Sequence, residues 1–254
     1  MDAARLSTGI AEADRRLGGG LPRAALHEMR CEETRAVAAA AGFLLSLLAR
    51  LGGEAGRRVA WVLDPAVPAD AGLPCPDGVM QYGVDPARLV MIAPRTLCDA
   101  LWAVDQAARC GDLAAAVLHV AGNPPRLDMT ASRRLMLRAR ESGVFTAILR
   151  QGGQAEPGAA ATRWRVSPLP SPGAGPEQGS GAPCHLLTLE RNRTGPLGEW
   201  PVVWNPQRKG FDHADLPPPD SRPVPAAPAD GPHHAPAPGA DAEPGRVVAF
   251  GRAS

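Results

Sequence analysis

The amino-acid sequence predicts an α/β fold: a mostly parallel central sheet flanked by helices, with antiparallel strands at one edge and a disordered C-terminal tail. Three observations carry this. As far as residue 150, short runs apolar on both faces, such as "LAAAVLHV" (113–120), alternate with helical stretches, the pattern of a parallel sheet covered on both sides. Three strand-like runs then follow with Gly- and Pro-rich connections and no helix between them, which favours antiparallel pairing. From Asp212 to Ser254 there are ten Pro and no aromatic residue before Phe250, a composition too poor in apolar residues to build a core. The chain therefore divides into a core over 1–211 and a tail over 212–254, whose last ten residues are apolar and basic and form a candidate docking peptide.

Taken in order, Ser7 or Thr8 is the expected cap of a helix over 10–17, which Gly18, Gly19, Gly20 and Pro22 end. "ALHEM" (25–29) reads as a short strand, and "ETRAVAAAAGFLLSLLARLG" (33–52) as a helix apolar enough for nearly full burial. A second strand, "RRVAWVLD" (57–64), leads into a Pro-rich loop over 65–82, and "RLVMIA" (88–93) is a third. In the helix over 96–110, Leu97, Leu101, Val104 and Ala108 fall at helical spacing. The fourth strand (113–120) is followed by a helix over 129–142, with Leu135 and Leu137 expected to point inward, and by a fifth strand, "GVFTAILR" (143–150). The edge strands are 162–168, 184–193 and 199–207. The five tryptophans, Trp61, Trp102, Trp164, Trp200 and Trp204, are expected to pack in the core or at its edge.

A net charge of +1 gives no global field toward nucleic acid or anionic membrane. Any such binding must be local. The cysteines Cys31, Cys75, Cys98, Cys110 and Cys184 form no CxxC pair and show no metal-ligand spacing, so neither a metal nor another cofactor is expected. No stretch approaches the ~18 apolar residues of a membrane span, no apolar leader opens the chain, and the odd cysteine count suits a reducing compartment. No membrane association and a cytoplasmic location are the expectation.

"MRCEETRAVAAAAGF" (29–43) lies at a strand-to-helix junction, the usual place for a phosphate in an α/β protein. Such a loop needs glycines that let backbone amides converge, a Lys and a Ser or Thr hydroxyl, and none stands at its place here. The surroundings nonetheless resemble the ATPase core of RecA, through "STG" (7–9), "LGGGLP" (17–22) and a strand carrying Glu28. On that frame the loop's two glycines fall on Cys31 and Ala36, its Lys on Val37 and its Thr on Ala38. Asp64 remains at the end of the second strand, but the catalytic Glu position beside it is apolar, and His119 stands near the place of a metal-organising Asp. Asp64 and His119 are expected to be satisfied polar groups, Val37 and Ala38 core residues, and Glu32 and Glu33 a helix-start cap that also repels an anion. Losing every partner of MgATP together implies a RecA-like core that does not hydrolyse ATP.

A closer likeness is carried by "LGGGLPRAALHE" (17–28), "GVDPARLVMIAP" (83–94), "DALWAVDQAARC" (99–110), "LDMTASRRLMLRARESGV" (127–144) and "TRWRVSP" (162–168). In this order they resemble the ImuA family, over roughly residues 5–211. The resemblance implies a catalytically silent, RecA-like accessory factor of damage-induced (SOS) translesion synthesis and mutagenesis. Its implied partners are ImuB and the error-prone C-family DNA polymerase assembly, with RecA and single-stranded DNA as further candidates. With six residues before Ser7, the chain is expected not to donate RecA's N-terminal filament contact. Two alternative functions stay open: a RecA/RadA-type DNA-dependent ATPase and a SulA-like inhibitor of cell division.

Without catalysis, function must lie on surfaces. RecA-like cores carry DNA-binding loops after the fourth and fifth strands, here offering Arg126, and Arg150 and Arg163 as flanks. The densest basic cluster is Arg133, Arg134, Arg138 and Arg140 on one helix, with Arg134 and Arg138 sharing a face. Arg163, Arg165, Arg191 and Arg193 form a second candidate patch, with Arg163 and Arg165 opposite Trp164 and expected to be exposed.

Overall fold

The structure, a computed structural model, describes residues 4–51, 56–171 and 181–215. Near the N-terminus, β1 (Arg5–Leu6) and β2 (Leu21–Pro22) pair antiparallel around a short helix, α1 (Ala11–Arg16). Three glycines make this possible. A Cβ on Gly20, at φ +117°, would lie 2.4 Å from the Leu6 carbonyl oxygen, so only glycine lets the two strands meet. Ser7 and Thr8 do not cap α1. Their hydroxyls bond to Asp14 at 2.6 and 2.7 Å, folding the entry loop back onto the helix.

Nine strands form the main sheet: β3 (Leu26–Arg30), β4 (Arg58–Leu63), β5 (Leu89–Ile92), β6 (Leu113–Ala121), β7 (Phe145–Gln151), β8 (Thr162–Leu169), β9 (Cys184–Asn192), β10 (Gly198–Asn205) and β11 (Gly210–His213). Their order is β11-β10-β9-β8-β3-β7-β6-β4-β5. From β5 to β8 all neighbours are parallel, and from β8 to β11 all are antiparallel. The strand β8 is the seam, parallel to β3 on one side and antiparallel to β9 on the other. The predicted mixture of parallel array and antiparallel edge is therefore present, with one more strand, β11, than the sequence suggested.

Helix α2 (Val37–Arg50) follows β3 through a 3-10 turn at Thr34–Ala36. The stretch over 65–82 is not a plain loop. It holds two short helices, α3 (Val67–Ala71) and α4 (Pro76–Gln81), each with proline in its first two positions, where a missing N–H costs nothing and a fixed φ helps. Helix α5 (Leu97–Arg109) is capped by Thr96 and α6 (Met129–Ser142) by Asp128, and α6 ends on Gly143 in the left-handed conformation.

Alternation along β6 divides the core in two. Ala115 and Val117 pack with α2 and the antiparallel strands, while Ala116, Leu118 and Val120 pack with α5 and α6. Two expectations fail here. Trp102 on α5 is 66% exposed and Leu137 on α6 is 44% exposed, although the other four tryptophans and Leu135 are buried. The buried residues of α6 are Ser132, Leu135 and Ala139, a stripe at three- and four-residue spacing that leaves Leu137 on the opposite face.

The core runs past 211. Phe211 lies inside β11, Ala214 is buried, and its N–H donates to the Pro201 carbonyl. The compact unit takes in the described residues to Asp215. The rest of the tail, including its terminal candidate peptide, lies outside the described residues. Among the described residues no helix is long and apolar enough to cross a membrane.

Candidate functional site

Parallel strands end together, so the β3–α2 junction opens at the carboxyl edge of the sheet between the ends of β7 and β8. Cys31 and Ala36 are buried, Val37 is half-buried, and Ala38 is exposed rather than in the core. Neither glutamate caps the helix. Glu33 pairs with Arg35, and Glu32 lies 3.6 Å from Arg30 and 3.8 Å from Arg165.

Above this junction lies a cavity of about 490 Å³. Ala36, Val37 and Ala38 line it from the helix side, Val79 and Tyr82 from α4 and the turn after it, and Leu169 from the end of β8. Where a phosphate loop would present amides and cations, the wall is apolar. Its charged lining among the described residues is Arg35 alone, already matched by Glu33.

Two histidines reach the cavity. Burial pushes both His119 and His185 down to about 4 from the ordinary 6.5, so both are neutral at pH 7. The His185 Nε2 lies 3.4 Å from the Tyr82 hydroxyl, whose own pKa burial raises to about 12. His119 is 3% exposed, with its ring edge-on to Trp61. Neither ring nitrogen makes a well-shaped hydrogen bond among the described residues. The Gln151 side chain opposes the lowering of the His119 pKa, yet its amide oxygen and nitrogen form no well-shaped hydrogen bond either. Asp64 does behave as expected, its carboxylate accepting from the Ala66 N–H at 3.1 Å and the Ala121 N–H at 3.4 Å.

Glu28 is engaged elsewhere. It is 3% exposed and lies between two arginines, Arg150 Nε at 2.9 Å and Arg163 Nε at 2.8 Å. The parallel register sets Glu28 level with Arg163 across β3 and β8. Arg150 and Arg163 are therefore buried in the sheet and are not available to a phosphate, which corrects the expectation for both. Strand alternation was sound, since Trp164 does face the other way, but the segment over 152–161 covers the arginine face. Its carbonyls take up the cations: Glu156 accepts from Arg163, Gly158 from Arg191 at 2.6 Å, and Ala160 from Arg193 at 3.2 Å. Arg165 is half-buried and shares Glu190 with Arg30, which holds that carboxylate in a two-pronged contact at 2.6 and 2.8 Å.

On α6 the predicted cluster survives. Arg133 and Arg140 are exposed, while Arg134 and Arg138 reach across to the buried Asp105 of α5 at 3.1 and 3.6 Å. Arg126 is exposed and its guanidinium meets Cys98 at the start of α5. Sequence reasoning missed Asp105, whose position on the inner stripe of α5, one residue past Val104, was its only signal. It also missed the part played by Arg30. Among the described residues no group of three His, Cys, Asp or Glu side chains is placed to hold a metal. No protein-family profile matches the chain, and no curated protein matches it either.

Proposed function

We propose that this protein is a RecA-like, ImuA-type accessory factor of damage-induced translesion synthesis, acting through contacts with ImuB and the error-prone C-family polymerase assembly rather than through ATP hydrolysis. One observation carries the non-catalytic part. The junction that would hold a nucleotide is walled by Ala36, Val37 and Ala38, and Glu28 is locked between Arg150 and Arg163. At the Lys and Thr positions MgATP would find Val37 and Ala38, and it would find no free carboxylate on Glu28.

The helical layer of α5 and α6 is the favoured contact surface. Exposed Trp102 and Leu137 share it with Arg133 and Arg134, and aromatic and arginine side chains dominate the binding energy of protein interfaces. RecA and single-stranded DNA are further candidate partners of the same surface.

The test is co-purification with ImuB of the full chain, of a version ending at Asp215, and of a Trp102→Ala/Arg134→Ala variant. Recovery of ImuB by the first two and a loss of about tenfold or more with the variant is the expected result. No complex with any form would overturn the reading. Saturable, Mg²⁺-dependent ATP binding would revive the ATPase alternative, and filamentation on overexpression with normal induced mutagenesis in a deletion strain would favour the SulA-like one.

A further inference from the structure

The cavity over the β3–α2 junction combines a mostly apolar wall with two deeply hidden imidazoles: His185, whose Nε2 lies 3.4 Å from the Tyr82 hydroxyl, and His119. In β6 the residues that alternate toward α2 are Ala115, Val117 and His119, so the sheet aims the imidazole at the cavity that it lines. It is 3% exposed, its polar neighbour is the Gln151 side chain, and neither ring nitrogen makes a well-shaped hydrogen bond among the described residues. A neutral imidazole offers one N–H donor and one bare nitrogen acceptor. Buried with Gln151 as its polar neighbour, the ring still has a nitrogen that loses water with little in return. The complementary group is one that donates and accepts at once, which a hydroxyl does.

Charge narrows the ligand further. No Asp or Glu lines the cavity among the described residues, so none of these residues offers a cation a counter-charge. An anion meets only Arg35, which is exposed and paired with Glu33. About 490 Å³ lies within the range of sites for small molecules, which are mostly apolar with a few placed polar groups.

We propose that this cavity is a binding site for a small uncharged molecule with an apolar body and one hydroxyl, the hydroxyl meeting His119 and the body lying against Val37, Ala38, Val79 and Leu169. The place of a nucleotide is thus given over to a different chemistry. The inference rests on the cavity and not on ImuB, and it stands or falls separately from the accessory-factor reading.

The experiment uses full-length protein carrying ¹³C-labelled histidine, titrated with 4-ethylphenol and, in parallel, with 4-ethyltoluene, in which a methyl replaces the hydroxyl. His119→Leu assigns the ring signal. One saturable site is expected, with a shift of the His119 ring and a preference for the phenol of about tenfold, the worth of one hydrogen bond to a buried group. In His119→Leu the preference should fall to about twofold or less while 4-ethyltoluene still binds. Ala38→Phe, whose folding is checked by its melting temperature, should block both probes. Three results overturn the proposal: no saturable binding of either probe by the wild type, a phenol preference that survives in His119→Leu, or displacement of the phenol by MgATP.

Discussion

Glu28 sits in the middle of the sheet with Arg150 on one side and Arg163 on the other, all three buried. Removing the carboxylate leaves two arginines out of water with no counter-charge. Glu28→Gln is expected to destabilise the fold by about 3–5 kcal/mol, read as a lowered urea midpoint. Arg165→Met removes an ion pair whose arginine side chain is 28% exposed, and should cost about 1 kcal/mol or less. Histidines set the acid limit. Burial lowers His27, His119 and His185 to about 4 in the folded protein, against about 6.5 in the unfolded chain. The unfolded state thus takes up protons first. Their stabilising contribution is complete above about pH 6.5 and is lost as pH falls toward 4, by up to about 1.4 kcal/mol per pH unit for each group. His119→Leu should make the fall of melting temperature between pH 6.5 and 4 shallower than in the wild type; an unchanged slope would mean that His119 takes up its proton alike in the folded and the unfolded state. At this scale the sequence was least informative. Alternation told which way Arg163 pointed, but nothing local told that the segment over 152–161 would cover it.

Helix α6 shows what local patterning can and cannot settle. Its predicted bounds, 129–142, match the structure at both ends, where Asp128 caps the helix and Gly143, read from sequence as the first residue of a strand, stops it. The facing of its leucines does not, because two positions separated by two residues lie on opposite sides of a helix and the charged residues around both are similar. Leu135→Ala, at a 1% exposed position, is expected to cost about 2–5 kcal/mol. Leu137→Ala, at 44% exposure, should stay within about 0.5 kcal/mol. Comparable losses from the two in chemical denaturation would refute the facing. The stretch over 65–82, expected as a Pro-rich loop, differs for a related reason: Pro68 and Pro76 sit in first turns, where proline starts helices. The site was half legible in the same way. That the junction lacks a phosphate cradle can be read from Val37 and Ala38, but the cavity above them depends on α4 and the end of β8, which no local pattern brings there.

On the scale of the molecule, the two apolar faces of β6 and β7 foretold a sheet covered on both sides, and the loss of helices after 151 foretold its antiparallel edge. Where that edge ends was not legible. The strand β11 is four residues long, follows a turn with Lys209 at positive φ, and has no alternating pattern of its own. Its place comes from pairing: Trp204 opposes Phe211, Val203 opposes Asp212 and Val202 opposes His213. Phe211 then closes the α2 side of the core, 5.2 Å from the ring of Trp204 and 6.1 Å from that of Phe43. A chain cut after Phe211 keeps this ring but loses its last rungs, the Asn205–Asp212 side-chain bond at 2.8 Å and the Ala214 N–H bond to Pro201. A chain cut after Asp215 keeps all of them. The longer version should melt with the full chain, and the shorter should lose about 1–3 kcal/mol, the sum of a few net hydrogen bonds at a frayed edge. Equal melting of all three would mean that β11 adds nothing beyond its aromatic ring. A lowered melting temperature in the version ending at Asp215 would place part of the folding energy of the core in residues 216–254.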